Sequence, residues 1–329
     1  MRQSLLDIVN LFIRNKEIMK KNFKFEHTGI HYTGSLIYTE KNQSVDFDRI
    51  KDAKDIIKNN TNMFSNFRGV GYTLGAIRLS LSTYPENRFK ETLKAYELLK
   101  KEFSSSEYLS LIAYFIAEAE ETSLLNVEDL IKRAKEVYTK MKKNHPFLTS
   151  SDDISLAVLI SMNTGNIVET IKDMEIYYNK LKDKFSIGNP LQSLSHVLSL
   201  NRSNIEERAL KVVNIYDNLK ERKLKYGRNY ELPLLGILAL CNESVENITE
   251  DIEEVYNKFK EVGVVKTFGL SKTQGLMYAS LLVAIDYYKK DSDSSFKEIA
   301  INNIITIIIQ EIMVTAAMTA TIVATSTSN

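Results

Sequence analysis

The chain has 329 residues, and its 43 basic and 42 acidic residues give a formal net charge of +1, so bulk electrostatics provides no basis for binding nucleic acid. It contains only 12 glycines and 4 prolines, which argues against a β-rich fold with its many turns. The single cysteine, Cys241, excludes an internal disulfide and is expected to be a buried structural thiol, and the expected compartment is a reducing cytoplasm.

Residues 2–22 are predicted to form an amphipathic helix, with Leu5, Val9 and Phe12 on its apolar face. Asp7 interrupts the apolar run that a secretory signal requires, and no small-residue cleavage site follows. A basic amphipathic helix can also lie on a membrane surface. Packing as a terminal helix of the fold is favoured here.

Residues 27–61 are predicted to form a divergent first unit, with helices at 30–39 and 45–58. His27 and His31 have the four-residue spacing that can place two imidazoles on one helix face, but the HExxH pattern is absent. Ordinary surface or interface histidines are therefore favoured over a metal site. Neither a metal nor a cofactor is predicted.

A five-residue pattern then recurs: a tyrosine, two variable residues, an apolar residue and a lysine. Its copies follow one another at steps of 38 to 42 residues and begin at Tyr96, Tyr138, Tyr178, Tyr216 and Tyr256. Such self-similarity at a near-fixed period is typical of helical repeat proteins. We expect Tyr138, Tyr178 and Tyr216 to pack between neighbouring units, because they stand at the same distance from the start of their helices.

These helix starts are predicted from residues that commonly cap helices. Such residues stand twelve positions before four of the tyrosines, at Asn126, Asn166, Asn204 and Ser244. In the first copy Tyr84 has this position and is followed by Pro85, which a first helical turn tolerates. Each copy is therefore predicted to lie on an amphipathic outer helix of about four turns.

Shorter and more apolar segments lie between these helices and are predicted to form buried inner helices. They span residues 74–81, 108–117, 154–162, 191–200, 232–240 and 276–285. Small residues within them, such as Gly75 and Gly236, would let neighbouring helices approach closely. The unit is then an inner helix, a turn, an outer helix and a loop, and stacked units share a continuous core.

Residues 299–325, rich in Ile, Ala, Met and Val, are the one candidate membrane segment. Asn303, Thr306 and Gln310 line up as a polar stripe at helical spacing. Glu311 also lies inside the segment, and a charge near the centre of a bilayer costs about 2.5–3.5 kcal/mol. An atypical terminal repeat helix is favoured over a membrane anchor, so membrane association is not expected.

The sequence thus predicts an all-α fold, a helical-hairpin repeat array of the α-solenoid or α/α-superhelix type with about six to seven hairpins. One domain is expected to span residues 1–329. Residues 1–61 supply the N-terminal helix and the divergent unit, residues 67–262 the regular repeats, and residues 271–329 an atypical C-terminal capping unit. Helix is expected to occupy about three quarters of the chain, against a usual third.

Polar residues at the turns into the inner helices form the candidate binding site. They are Arg68, His145, Asp153, Gln192 and His196. In a stacked array equivalent helices lie side by side, so these side chains could converge on one rim or concave face. The alternative is structural: Arg68 and Asp153 cap and pair, and the histidines are satisfied packing residues.

No enzyme motif is present: the sequence lacks a phosphate-binding glycine loop, a GxSxG elbow and a cysteine cluster. Asp152 and Asp153 resemble a magnesium-binding carboxylate pair, but Leu156 stands where a DDxxD run has its third aspartate, and helix capping is favoured. No catalytic residue is predicted.

The lysines of the repeated pattern could align into a basic edge for an anionic partner. They are Lys100, Lys142, Lys182, Lys220 and Lys260. Lysine near a helix C-terminus is also what the helix macrodipole favours, so a solvated face is the preferred interpretation.

Three stretches near these turns carry a family resemblance. They are Phe67-Arg68-Gly69, His145 to Thr149 followed by Asp152 and Asp153, and Leu191 to His196. They resemble stretches of an uncharacterised bacterial family, Domain of Unknown Function 4003, over nearly the whole chain. The resemblance implies a bacterial origin and supports the helical fold. The family has no assigned activity, so the resemblance implies no function.

Two functions of different classes remain open. The first is a non-catalytic interaction scaffold that binds a protein or peptide partner on a concave surface, as helical repeats commonly do. The second is an α/α-toroid enzyme or small-ligand carrier with a central cavity. Carbohydrate enzymes of that shape are expected to use aromatic platforms, and tryptophan is absent from the chain. The scaffold is favoured by analogy of architecture.

Overall fold

The computed structural model describes residues 1–290 apart from residues 70, 123–125, 152, 163–165, 201–203 and 266–268. Of these residues 75% are helical, in 14 α-helices and one short 3₁₀ helix. They form no strand, and a lone β-bridge joins Val265 and Leu270. The predicted all-α class and helical fraction are therefore confirmed for the described part of the chain.

The helices are α1 (Gln3–Asn22), α2 (Thr28–Glu40), α3 (Phe47–Asn60), the 3₁₀ helix (Asn66–Arg68), α4 (Tyr72–Ser80), α5 (Pro85–Glu102), α6 (Glu107–Thr122), α7 (Val127–Asn144), α8 (Asp153–Met162), α9 (Ile167–Leu181), α10 (Asn189–Leu198), α11 (Ile205–Glu221), α12 (Leu232–Leu240), α13 (Val245–Glu261) and α14 (Lys272–Lys290). The described residues divide into two compact units. Unit 1 contains residues 1–13 and 137–290, and unit 2 contains residues 14–136.

Long amphipathic helices alternate with buried helices along unit 1. The buried helices α8, α10, α12 and α14 pack in succession, and α11 packs against both α9 and α13. Gly236 of α12 lies so close to α10 that an added Cβ would be 3.0 Å from side-chain atoms of Leu194 and Val197. A larger residue there would force these helices apart, so the small residue permits the predicted close approach.

Residues 3–13 of α1 belong to unit 1. The predicted apolar residues Leu5, Val9 and Phe12 are buried. The Phe12 ring centroid lies 5.7 Å from that of Phe259 in α13 and 5.8 Å from that of Tyr278 in α14. Aromatic pairs at these distances stabilise the packing beyond the area they bury, so α1 packs in the fold as predicted.

The same alternation occurs in unit 2, where α4 packs against α2 and α6, and α3 against α5. An added Cβ at Gly75 of α4 would come within 2.6 Å of the Tyr114 ring in α6. The histidines of the divergent unit have structural partners. His27 Nδ1 accepts a hydrogen bond from Gly29 N at 3.2 Å and caps α2, and His31 Nε2 lies 2.7 Å from Phe23 O.

The predicted helix starts are confirmed by their geometry. The side chains of Asn126, Asn166, Asn204 and Ser244 accept hydrogen bonds from backbone N–H groups two or three residues later, at 2.9–3.3 Å. These bonds satisfy donors that have no partner inside the helix. Tyr84 occupies the cap position of α5 without such a bond, and Pro85 begins the helix.

The tyrosine and lysine of the repeated pattern are in direct contact in three of its five copies. Residues four apart lie on the same face of a helix, and the ammonium groups of Lys100, Lys142 and Lys260 lie 5.4, 6.0 and 5.0 Å from the ring centroids of the tyrosines four residues before them. The negative face of the aromatic ring attracts the ammonium group. In these three copies the four-residue spacing is explained by a contact between side chains on one helix face.

We expect Tyr178→Ala to lower the free energy of unfolding by about 3 kcal/mol, because the ring is buried and truncation leaves a cavity. Tyr138 is only half-buried, so Tyr138→Ala should cost clearly less. Urea unfolding of both variants would measure the difference. Equal midpoints for both variants and the unaltered chain would show that the two rings are surface residues.

Two further sequence predictions concern single segments. Cys241, directly after α12, is a buried thiol as expected, and its Sγ donates a hydrogen bond to Ile237 O at 3.5 Å. The predicted terminal helix at 299–325 lies outside the described residues. Within the described residues, none of the helices combines the length and apolar character needed to span a bilayer.

Candidate functional site

Arg68 lies in unit 2, in the 3₁₀ helix, and is bound to the end of α3. Its guanidinium donates hydrogen bonds to the carbonyl oxygens of Lys58 and Thr61, and its Nε donates to Thr61 Oγ1 at 3.0 Å. Carbonyls at a helix C-terminus lack partners inside the helix, and a cation is favourable there. These bonds give Arg68 a structural role, since they join the turn to α3.

Asp153 is buried at the start of α8 in unit 1. Its Oδ2 accepts a hydrogen bond from Ser150 N at 2.9 Å. A carboxylate that reaches back to the backbone N–H three residues earlier is one half of a capping box. Asp152, the other carboxylate of the sequence pair, lies outside the described residues.

The other three predicted residues, His145, Gln192 and His196, come together in unit 1, where the turn before α8 meets α10. Gln192 Nε2 donates a hydrogen bond to Thr149 Oγ1 at 2.8 Å. His145 Nε2 lies 3.0 Å from Glu175 Oε1. His196 lies one turn after Gln192 on α10, and a charge on His145 lowers the pKa of His196.

His145 occupies a position that other copies of the pattern fill with phenylalanine. Phe103 and Phe185 stand seven residues after their pattern tyrosines, as His145 does. The His145 ring centroid lies 4.5 Å from that of Tyr178, and Phe185 lies 5.3 Å from Tyr216 in the corresponding contact. His145 therefore packs as a phenylalanine would, with an added polar edge.

Gln192 and His196 carry buried polar atoms without partners. Gln192 Oε1 and His196 Nδ1 form no hydrogen bond within the described part of the chain, and such an atom costs about 1–3 kcal/mol. Burial, with a smaller effect of His145, lowers the pKa of His196 to about 3. The imidazole is thus neutral at physiological pH. The pair can present one neutral ring nitrogen and one amide oxygen to a small hydrogen-bonding group.

A charged cluster that the sequence did not predict lies where α1, α13 and α14 meet in unit 1. Arg2 Nη2 is 2.7 Å from Asp251 Oδ2 and 2.9 Å from Asp286 Oδ2, and the guanidinium lies 4.4 Å from the Tyr287 ring centroid. Asp286 is only 1% exposed and also pairs with Lys290 at 2.9 Å. Burial raises the pKa of Asp251, against the lowering effects of Tyr287 and Arg2.

Two cavities of about 350 and 240 Å³ adjoin this cluster, and Arg2 and Tyr287 line both. The larger one is also lined by Asn247, Glu250 and Glu254. In the sequence, the signal for this cluster is Asp286, a carboxylate directly after an apolar helix segment. Charged residues are rarely buried without a partner, so its position indicates a buried ion pair.

An acidic groove of about 540 Å³ lies in unit 2 between α3 and the start of α5. Its lining residues are Asp52, Asp55, Ile56, Asn59, Thr83, Tyr84, Pro85, Glu86 and Asn87. Asp55 and Ile56 stand three and four positions after Asp52, and Asn59 stands four and three positions after them, so the four α3 residues share one helix face. The lining contains three carboxylates and no basic residue, and Asp52, Asp55 and Glu86 form no ion pair within the described ranges.

In the sequence, the one signal for this groove is Tyr84, an unusual residue for a helix-cap position. It replaces the asparagine or serine cap of the other copies, makes no capping hydrogen bond, and is 69% exposed. Helix initiation therefore does not explain a tyrosine here. An exposed aromatic ring beside unpaired carboxylates is a suitable contact for a cationic, partly apolar ligand.

Comparison with known proteins identifies relatives of this chain. A family model described as "Protein of unknown function (DUF4003)" matches residues 15–313, which confirms the predicted resemblance. The chain is 27% identical over 282 residues to "Uncharacterized protein YeaA" of Bacillus subtilis (strain 168), and the alignment covers 83% of this chain and 82% of that protein. No solved structure matches.

Proposed function

We propose that this chain, which belongs to the DUF4003 family of proteins of unknown function, is a non-catalytic scaffold whose acidic groove in unit 2 binds a basic segment of a protein partner. The observation that carries the proposal is the groove itself, with three unpaired carboxylates, no lining cation and an exposed tyrosine. Charge complementarity of this kind selects a partner and orients it.

The proposal includes a helical-hairpin repeat architecture. It is supported by the recurrent caps, by the tyrosine–lysine contacts at equivalent positions, and by the successive packing of alternate helices within each unit. Proteins of this architecture commonly present extended surfaces to peptides. The groove between α3 and α5 is one such surface.

The groove would bind the partner through both charge and apolar contact. Lysine or arginine side chains would pair with Asp52, Asp55 and Glu86, and an apolar side chain would pack on Tyr84 and Ile56. A solvent-exposed ion pair contributes only about 0.2–1 kcal/mol. Several pairs and one aromatic contact that excludes water are therefore required together.

We expect fluorescence anisotropy with labelled peptides that combine lysine or arginine with leucine or phenylalanine to detect binding. Asp52→Lys/Asp55→Lys should weaken binding by about tenfold, because two attractions become repulsions. Glu91→Lys/Glu97→Lys is the matched control, since it changes the net charge equally on exposed or half-exposed positions of α5 outside the groove. Equal losses in both variants, or no binding to any such peptide, would contradict the groove as the site.

A small-ligand carrier is the second candidate, and the cavities beside Arg2 and Tyr287 favour it. A volume of about 350 Å³ is within the usual range for small-molecule sites, and the carboxylates of Glu250, Asp251 and Glu254 supply polar contacts. A thermal-shift screen of small cationic metabolites would test this function. Stabilisation that Tyr287→Phe abolishes would support it.

A further inference from the structure

Three turns in unit 1 each expose one large apolar side chain. Phe147 is 98% exposed, Ile187 71% and Tyr230 40%, and they lie in the turns that follow α7, α9 and α11. Isolated exposed apolar residues are normal on protein surfaces. Here they recur at the same kind of turn in three consecutive helix pairs, so the recurrence needs a physical reason.

These three turns are adjacent in space. Gln192, at the start of α10, bonds to Thr149 in the first turn. Phe185, in the second turn, packs 5.3 Å from the Tyr216 ring, and Tyr216 OH accepts a hydrogen bond from Arg228 Nε, in the third turn, at 2.7 Å. We call residues 142–151, 182–188 and 220–231 the turn edge. It is one continuous border of unit 1.

The turn edge carries an excess of positive charge. Its seven cations without a carboxylate partner among the described residues are Lys142, Lys143, Lys182, Lys220, Lys223, Lys225 and Arg228. Asp183 and Glu221 are its exposed carboxylates. The helix macrodipole favours lysine in a last helical turn, but it does not explain Lys223, Lys225 and Arg228, which follow the end of α11 at Glu221.

We propose that the turn edge docks on an anionic membrane surface. The cations would lie among phosphate headgroups, and Phe147, Ile187 and Tyr230 would enter the boundary between headgroups and acyl chains. Cations with apolar and aromatic side chains between them are the combination that peripheral membrane proteins use. A folded acidic protein would need three separate apolar pockets in register with the turns, whereas a fluid lipid surface accommodates each side chain independently. This surface is distinct from the acidic groove.

The test is co-sedimentation of the full chain with vesicles of phosphatidylglycerol and phosphatidylcholine, compared with vesicles of phosphatidylcholine alone. Binding is expected only to the anionic vesicles and should weaken as salt screens the charges. Lys143→Gln/Lys220→Gln/Lys225→Gln should lower the partition coefficient by about a hundredfold, since each basic residue near such a surface contributes about fivefold. Phe147→Ser/Ile187→Ser should also lower it.

The matched control is Lys51→Gln/Lys90→Gln/Lys101→Gln, which removes three exposed lysines of unit 2 and should leave vesicle binding unchanged. Circular dichroism should show that all variants are folded. The proposal is overturned if the chain does not bind anionic vesicles, or if it binds neutral ones equally. Persistent binding by the turn-edge variants would assign the membrane contact to another segment, such as residues 299–325. Tighter binding to duplex DNA than to anionic vesicles would identify a nucleic-acid surface instead.

Discussion

Replacing Arg78 with methionine is expected to lower the free energy of unfolding by about 3 kcal/mol, the lower end of the range for removing one member of a buried ion pair. Arg78 is buried in α4, its Nη1 lies 2.5 Å from Glu118 Oε2, and its guanidinium lies 3.6 Å from the Phe115 ring centroid. Burial lowers the pKa of Arg78, and Glu118 opposes that effect. Methionine preserves apolar volume but removes this partner of Glu118, which Lys41 still contacts at 3.4 Å.

A double substitution separates the charge from the packing. Arg78→Met/Glu118→Met should recover most of the lost stability, because two apolar side chains can replace a buried ion pair at little cost. Lys94→Met is the control, since Lys94 pairs with Glu91 on the surface of α5, where a pair contributes at most about 1 kcal/mol. Urea unfolding would measure all three. If Arg78→Met loses no more unfolding free energy than Lys94→Met, the buried ion pair does not make the expected contribution to stability.

Acidification is expected to destabilise the chain through His196. The pKa of His196 is about 3 in the folded protein against 6.5 ordinarily, so unfolding takes up a proton between these values. The stability is complete above the ordinary pKa and falls as the pH drops towards the folded pKa, by about 1.4 kcal/mol per pH unit. From pH 7 to pH 4 this amounts to about 3 kcal/mol.

His196→Leu should flatten this part of the pH profile, because leucine does not titrate. Other groups also contribute to acid unfolding, so the measured quantity is the difference between the variant and the unaltered chain. His27→Asn is the control, since His27 is exposed and asparagine retains the capping acceptor of α2. Unfolding curves at several pH values would supply the profiles. Parallel profiles for His196→Leu and the unaltered chain would contradict the assignment.

The features predicted well from the sequence depend on residues close together in the chain. The caps at Asn126 and Asn166 act two or three residues away, and the tyrosine–lysine contacts act over one helical turn. Local spacing encodes both directly. The alternation of amphipathic and apolar helices was predictable for the same reason.

The charged cluster around Arg2 and the acidic groove are formed by residues from separate helices, so local spacing in the sequence does not predict them. Arg2 and Asp251 are 249 residues apart in the chain, and no periodic pattern connects them. Of the predicted site residues, Gln192 and His196 share one helix face, and their proximity follows from their spacing. The contact of Gln192 with Thr149 spans 43 residues and depends on how two helix pairs stack.

The rate at which the single cysteine, Cys241, reacts with a thiol reagent would report local opening of the fold around it. Cys241 is buried in unit 1, so it reacts with a thiol reagent only when the segment around α12 separates from its neighbours. If labelling is as slow as global unfolding, that segment opens with the whole chain. If labelling is faster, that segment opens locally without global unfolding, and substitutions can be ranked by which of the two motions they accelerate. The chain thus carries one native reporter of its own cooperativity, without any engineered cysteine.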